Sequence, residues 1–306
     1  MRSRPDVLVL GGGGVLGEAW LMGVLAGVED ATGFDLRDCE HFVGTSAGAI
    51  VATHLAAGER PRRPPAAEGA EQLETASSKP AEGLAAAAVV AARRAGAVAL
   101  AAGSAFAPLA LGVAEPGGAV LRTLMLRRLP RPHQTLERLR AQVERSAARF
   151  DGRLRVVAVD RGSGRRVVFG APGSPPAEVA DAVVASCTVP WLFTPVEIGG
   201  REYVDGGIWS PTNLDVAPAG RGTWVLCLNP TGNLVGSHRV LEVVRQVSRS
   251  AVSVEALVLR RRGAQVRLAA PGAEAAAAMG SNFMDSEPRE RVLAAAYRQG
   301  LALGSD

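Results

Sequence analysis

The 306-residue sequence is nearly without lysine: Lys79 stands alone among 34 basic residues, so its net charge of +4 rests on arginine. Aromatic residues make up 4% of the chain, which leaves few platforms for stacking on bases. No zinc-finger spacing and no basic run interleaved with aromatics occurs, so a nucleic-acid partner is not expected. The three cysteines, Cys39, Cys187 and Cys227, are odd in number and form no CxxC pair, which excludes a disulfide framework and a thiolate metal site. No cofactor or metal is expected, and a reducing compartment fits best. Long hydrophobic runs are also missing. Val7–Leu10 breaks at once into four glycines, too short for a signal-peptide core, so a cytoplasmic location is expected. Gly96–Val113 carries no charge but is interrupted by Gly103 and Pro108, which points to a buried or lid-forming helix, with peripheral membrane contact as the other option.

Arginine occurs in clusters at Arg60, Arg62 and Arg63, at Arg127 and Arg128, and at Arg260 to Arg262. Such groups can attract phosphate, or they can be ordinary solvated faces. With 47% hydrophobic residues the chain can bury one large core, so a single domain spanning 1–306 is expected, with 58–150 as a linker and helical cap.

Along the chain, apolar β-branched runs alternate with helical patterns. Residues 5–10 read as a strand, Gly11–Gly14 as a loop and 15–29 as a helix; 41–43, 44–48 and 49–57 repeat that order. Two consecutive strand-turn-helix units imply a parallel sheet with right-handed crossovers. From 58 to 80 the composition turns to Pro, Ala, Glu and Ser; alanine-rich helical stretches follow over 81–114, and 136–148 reads as a further amphipathic helix. Strands are expected at 154–159, 166–169, 196–198, 202–204 and 223–228, with a helix at 177–185. The C-terminal part reads as mainly helical, over 240–262 and 288–303.

Gly12 to Gly17 satisfies GxGxxG between a strand and a helix, which raises dinucleotide binding. That function also requires an acidic residue at the end of the second strand, and here that strand ends in Gly44-Thr45-Ser46. Gly44-Thr45-Ser46-Ala47-Gly48 is instead a GxSxG turn, in which small neighbours let a serine occupy a sharp, strained strand-to-helix junction. Capping of the following helix is the alternative role for Ser46. Ser46 lies 32 residues after Gly14, the length of one crossover, so the glycine loop and Ser46 share the carboxyl edge of neighbouring strands. Backbone N–H groups of Gly12, Gly13, Gly14 and Val15 are then candidate donors to an oxyanion.

A serine nucleophile needs a base. His41 and His54 flank the turn too closely for the late histidine of a common α/β-hydrolase, His133 lies in the insertion, and His238 sits in a Gly-Ser-His-Arg turn. Asp205, at the end of a strand and before Gly206-Gly207, is the better candidate, against an ordinary Asp-Gly turn.

The ordered set of GGGxxG, GxSxG and a late Asp-Gly-Gly resembles the patatin-like phospholipases, and Val183–Phe193 and Ser281–Asp285 extend the likeness. The resemblance implies a three-layer α/β/α fold around a mostly parallel sheet, interrupted by the alanine-rich helical insertion. It implies calcium-independent hydrolysis of lipid acyl esters by a Ser46–Asp205 dyad, with the glycine loop as oxyanion hole. One position departs from the pattern: Leu16 stands where that family usually carries Arg or Lys.

Overall fold

A computed structural model describes residues 1, 3–65, 116–129, 132–233 and 239–305. Its elements in order are β1 (Val7–Leu10), α1 (Gly14–Thr32), β2 (His41–Thr45), α2 (Ala47–Ala56), α3 (Pro116–Arg128), α4 (Glu137–Arg145), β3 (Leu154–Asp160), β4 (Arg166–Phe169) and α5 (Val179–Cys187). There follow β5 (Val196–Ile198), β6 (Arg201–Asp205), β7 (Trp224–Leu228), α6 (Arg239–Arg261), β8 (Gln265–Ala269), α7 (Ala273–Met279) and α8 (Arg289–Ser305).

The strands form one sheet in the order β5-β6-β3-β2-β1-β7-β8, with β4 also on β3. Pairs among β3, β2, β1, β7 and β8 are parallel, while β4, β5 and β6 join antiparallel. Side chains alternate between the two faces of each strand, so both faces must be covered. Leu8, Leu10, Phe42, Val156 and Leu226 point into the core shared with α1, α2, α5, α7 and α8. Val7, Val9, Val43, Val157 and Val225 point into the core shared with α6. Leu126 of α3 packs on Val159 and Val204. This is a sheet between two helical layers, as expected.

Two C-terminal elements depart from the mainly helical expectation. Gln265–Ala269 forms β8 beside β7, and α7 follows it. QVRLA is too short for its alternation to announce a strand, and it becomes one because β7 leaves an open edge. The α5 helix runs to Cys187 rather than ending at 185, which brings Ser186 and Cys187 onto it. The expected alanine-rich helix over 81–114, and with it the Gly96–Val113 run, lies outside the described residues. Among the described residues, no helix is long and apolar enough to cross a membrane.

The first arginine cluster takes the plain reading. Arg60 pairs with Asp35 at 3.6 Å, Arg62 with Glu290 at 2.6 Å and Arg63 with Asp30 at 2.6 Å. All three cysteines are free thiols.

Candidate active site

The strand register assembles the site. Thr45, the last residue of β2, pairs with Val157 of β3, and the next β3 residue, Ala158, pairs with Asp205 at the end of β6. Ser46, next after Thr45, and Asp205 therefore meet across a single intervening strand.

Ser46 sits at the junction of β2 and α2 with φ 52° and ψ −122°. For a non-glycine residue such a conformation costs on the order of 1–3 kcal/mol and persists only where its surroundings enforce it. The surroundings are close: a Cβ on Gly48 would stand 1.9 Å from the Leu10 carbonyl oxygen, and one on Gly44 would stand 2.4 Å from the Ala49 Cα. Thr45 and Ala47 are buried on either side. The Ser46 N–H donates to Ser186 Oγ at 2.9 Å, and the Ser186 hydroxyl donates to the Val157 carbonyl at 2.6 Å. The Ser46 side chain makes no capping hydrogen bond to α2. Its oxygen is thus free to face Asp205 and Cys187, at the positive end of the helix dipole.

Asp205 is 6% exposed. Its carboxylate lies beside the Ser46 side chain, and the Gly207 N–H donates to Oδ1 at 2.7 Å. Burial raises its pKa from 3.8 to about 6, only partly offset by the Gly207 hydrogen bond and the neighbouring Ser46 side chain. The first glycine of the turn is sterically required, because a Cβ on Gly206 would lie 2.4 Å from the Val157 carbonyl oxygen.

The glycine loop lies against Ser46: a Cβ on Gly12 would be 3.2 Å from the Ser46 Cβ. The donor set is narrower than expected. Gly12 N–H is committed to the Pro211 carbonyl at 2.8 Å, which removes it as an oxyanion donor. Among the described residues the N–H groups of Gly13, Gly14 and Val15 find no carbonyl, as befits the first turn of α1. The next amide, Leu16 N–H, donates to the Phe283 carbonyl at 3.1 Å, so the Ser281–Asp285 stretch packs on this loop. Leu16 itself is fully buried in the core, a place with no room for a charged residue.

Residues without an expected role complete the frame. Ser186 carries the Ser46 amide, and the Thr188 carbonyl accepts the Asp205 N–H at 2.9 Å, so the end of α5 fastens both partners. Buried Asn213, in a left-handed conformation, donates from Nδ2 to Thr45 Oγ1 at 3.1 Å and to the Gly206 carbonyl at 3.3 Å. The small-residue stretch 183–193 was the only sequence trace of the first pair. Nothing near Ser210–Asn213 marked the second.

Cys187 touches Ser46 as well, but burial, reinforced by the charges of Asp205 and Glu18, pushes its thiol well above the ordinary value. It therefore stays neutral, and the hydroxyl is the group with a base beside it. Of the histidines, His41 begins β2 at the end far from Ser46, and His54 lies about two turns along α2, facing Gln142 and Glu59. His133 is exposed, and His238 lies outside the described residues. Among the described residues no group of three metal-ligating side chains is gathered. The glycine loop that raised dinucleotide binding abuts Ser46 and Pro230.

Among solved structures, the chain is similar to VipD from Legionella pneumophila, at 15% identity and a TM-score of 0.44, over 98% of this chain and 67% of VipD. It is similar to the type III effector protein ExoU at 18% identity and a TM-score of 0.39, over 97% of this chain and 52% of ExoU, about half that protein's length. No curated protein sequence matches it. The profile of the family described as Patatin-like phospholipase matches residues 8–218, well over half of the chain and inclusive of every residue of the site just described up to Asn213. The chain belongs to the patatin-like phospholipase family.

Proposed function

We propose that this protein hydrolyses acyl esters of lipids, as a phospholipase A, lysophospholipase or related acyl hydrolase, through a Ser46–Asp205 dyad and without calcium. The observation that carries this reading is a strained Ser46 whose side chain meets a buried carboxylate on one side and the glycine loop on the other. Asp205 takes the Ser46 proton as Oγ attacks the ester carbonyl, and returns it to the departing alcohol. Gly13, Gly14 and Val15 N–H groups receive the oxyanion. Water activated by Asp205 then releases the acyl group. A carboxyl near 6 suits this work better than one at 3.8, being mostly ionised at neutral pH yet a stronger base. Family membership supports the lipid substrate, and peripheral contact at a membrane surface is part of the same proposal.

Fluorophosphonate labelling followed by intact mass tests the dyad. Wild type should gain one adduct, Ser46→Ala none, and Asp205→Asn should be folded but without turnover. Wild-type hydrolysis of a phospholipid and ester panel should be unchanged by a chelator. A folded wild type that takes no label would move the protein to a silent lipid-binding role, and near-normal turnover by Asp205→Asn would sink the dyad.

A further inference from the structure

Behind the sheet, in the layer opposite α2, lies a buried carboxylate that the reaction does not use. Glu255 of α6 is 9% exposed. Its Oε2 accepts from Thr212 Oγ1 and from the Leu214 N–H, each at 2.9 Å, with the Ser210 side chain close by. Ser210 Oγ in turn accepts the Thr212 and Asn213 N–H groups at 3.3 and 3.1 Å. Glu255 and Ser210 together thus tie residues 210–214 into one segment.

The other side of that segment touches each part of the site. Pro211 O holds the glycine loop through Gly12 N–H at 2.8 Å. Asn213 Nδ2 and Thr212 O hold Thr45, the residue before Ser46, at 3.1 and 3.4 Å. Asn213 Nδ2 also holds the carbonyl of Gly206, the residue after Asp205. Arg166 fixes the far end, binding Asn213 Oδ1 at 3.2 Å and both oxygens of Asp215 at 2.6 and 2.7 Å. The titratable groups facing Glu255 are Asp215, which raises its pKa, and the buried thiol of Cys227 on β7. Burial and Asp215 bring Glu255 to about 7, so a charge here costs stability rather than adding to it.

We propose that Glu255 is a positioning residue: through Thr212 and Leu214 it holds the segment that keeps the glycine loop, Ser46 and Asp205 in mutual register. The proposal rests on the Ser46–Asp205 reading above. The test compares wild type, Glu255→Gln, Glu255→Leu and Asn213→Gly for thermal unfolding, for fluorophosphonate labelling rate, and for kcat and KM on a short-chain p-nitrophenyl ester. Glu255→Leu should fold with a Tm at or above wild type, yet lose about tenfold or more in kcat with KM within about twofold, because sub-ångström misplacement falls on the chemical step. Glu255→Gln keeps an oxygen acceptor for Thr212 and Leu214 and should stay within about threefold in kcat. Asn213→Gly tolerates the left-handed backbone but drops the ties to Thr45 and Gly206, and should lose kcat as Glu255→Leu does. A folded Glu255→Leu with wild-type kcat overturns the proposal, as does a Glu255→Gln as slow as Glu255→Leu, which would assign the loss to charge. If Glu255→Leu fails to fold, a wild-type kcat in Asn213→Gly overturns it. Absence of label on wild-type Ser46 overturns the dyad and this inference together, whereas a labelled wild type with indifferent variants overturns the inference alone.

Discussion

Gly48 has no side chain to contribute, yet its hydrogen stands where a methyl group would be 1.9 Å from the Leu10 oxygen, so α2 is pressed against the end of β1. Gly48→Ala should lower stability by about 3 kcal/mol or more, or prevent folding, since backbone rather than a flexible side chain must move. Urea unfolding or soluble yield reads the outcome, and a variant as stable as wild type would refute the packing account. Asp205 shows the opposite balance, in which the proposed role sits at the expense of stability. A carboxyl with pKa about 6 in the folded state and 3.8 when unconstrained disfavours the folded protein by about 3 kcal/mol once pH exceeds 6. Asp205→Asn should therefore melt higher than wild type at pH 8 and lose that advantage by pH 4. A lower Tm at pH 8 would mean that its hydrogen bonds outweigh its burial.

At the scale of elements, the end of α5 is the clearest case of a helix placed for the site. Ser186, Cys187 and Thr188 in succession reach the Ser46 amide, the Ser46 side chain and the Asp205 amide. Ser186→Ala leaves the Ser46 N–H and the Val157 carbonyl short of a partner in a buried place. The expected loss is about 1–3 kcal/mol of stability, together with a fall in kcat as Ser46 relaxes from its strained conformation. Thermal unfolding beside ester turnover checks both, and a loss of stability with unchanged kcat would make Ser186 merely structural. Much of this element was legible: the apolar period over 177–185 announced a helix. Its final turn was not, because Cys187-Thr188-Val189-Pro190 carries no helix stop before Pro190, and the true end is set by the hydrogen bonds it makes to β3 and β6.

Over the whole molecule, two buried carboxyls with raised pKa values oppose others nearer the surface with lowered values. Asp205 and Glu255 bind protons more tightly folded than unfolded, so their contribution is greatest below about pH 4 and is lost as pH rises through about 6 and 7. Asp35, lowered to about 2 by its Arg37 partner, and Asp30, lowered by Arg63, contribute above the ordinary carboxylate range and lose that as pH falls. Tm should accordingly peak on the mildly acidic side of neutrality, and kcat/KM should fall about tenfold per pH step below 6. A Tm that climbs steadily from pH 5 to 8, or activity indifferent to pH between 4 and 7, would contradict this balance.

The amino-acid order alone determined the two strand-turn-helix units, the parallel sheet they demand, and Ser46 and Asp205 as the pair to examine, because those features are written in local period and in turn residues with few uses. It could not decide which amide of the glycine loop stays free, since Gly12 loses its N–H to Pro211, a residue 199 positions away. Nor could it mark Ser186, Asn213 or Glu255, whose residue types are ordinary on helices and turns. Their roles arise only when β2, β3 and β6 align and three distant segments are buried together, because a hydrogen-bonding group gains its function from the partners that burial forces upon it.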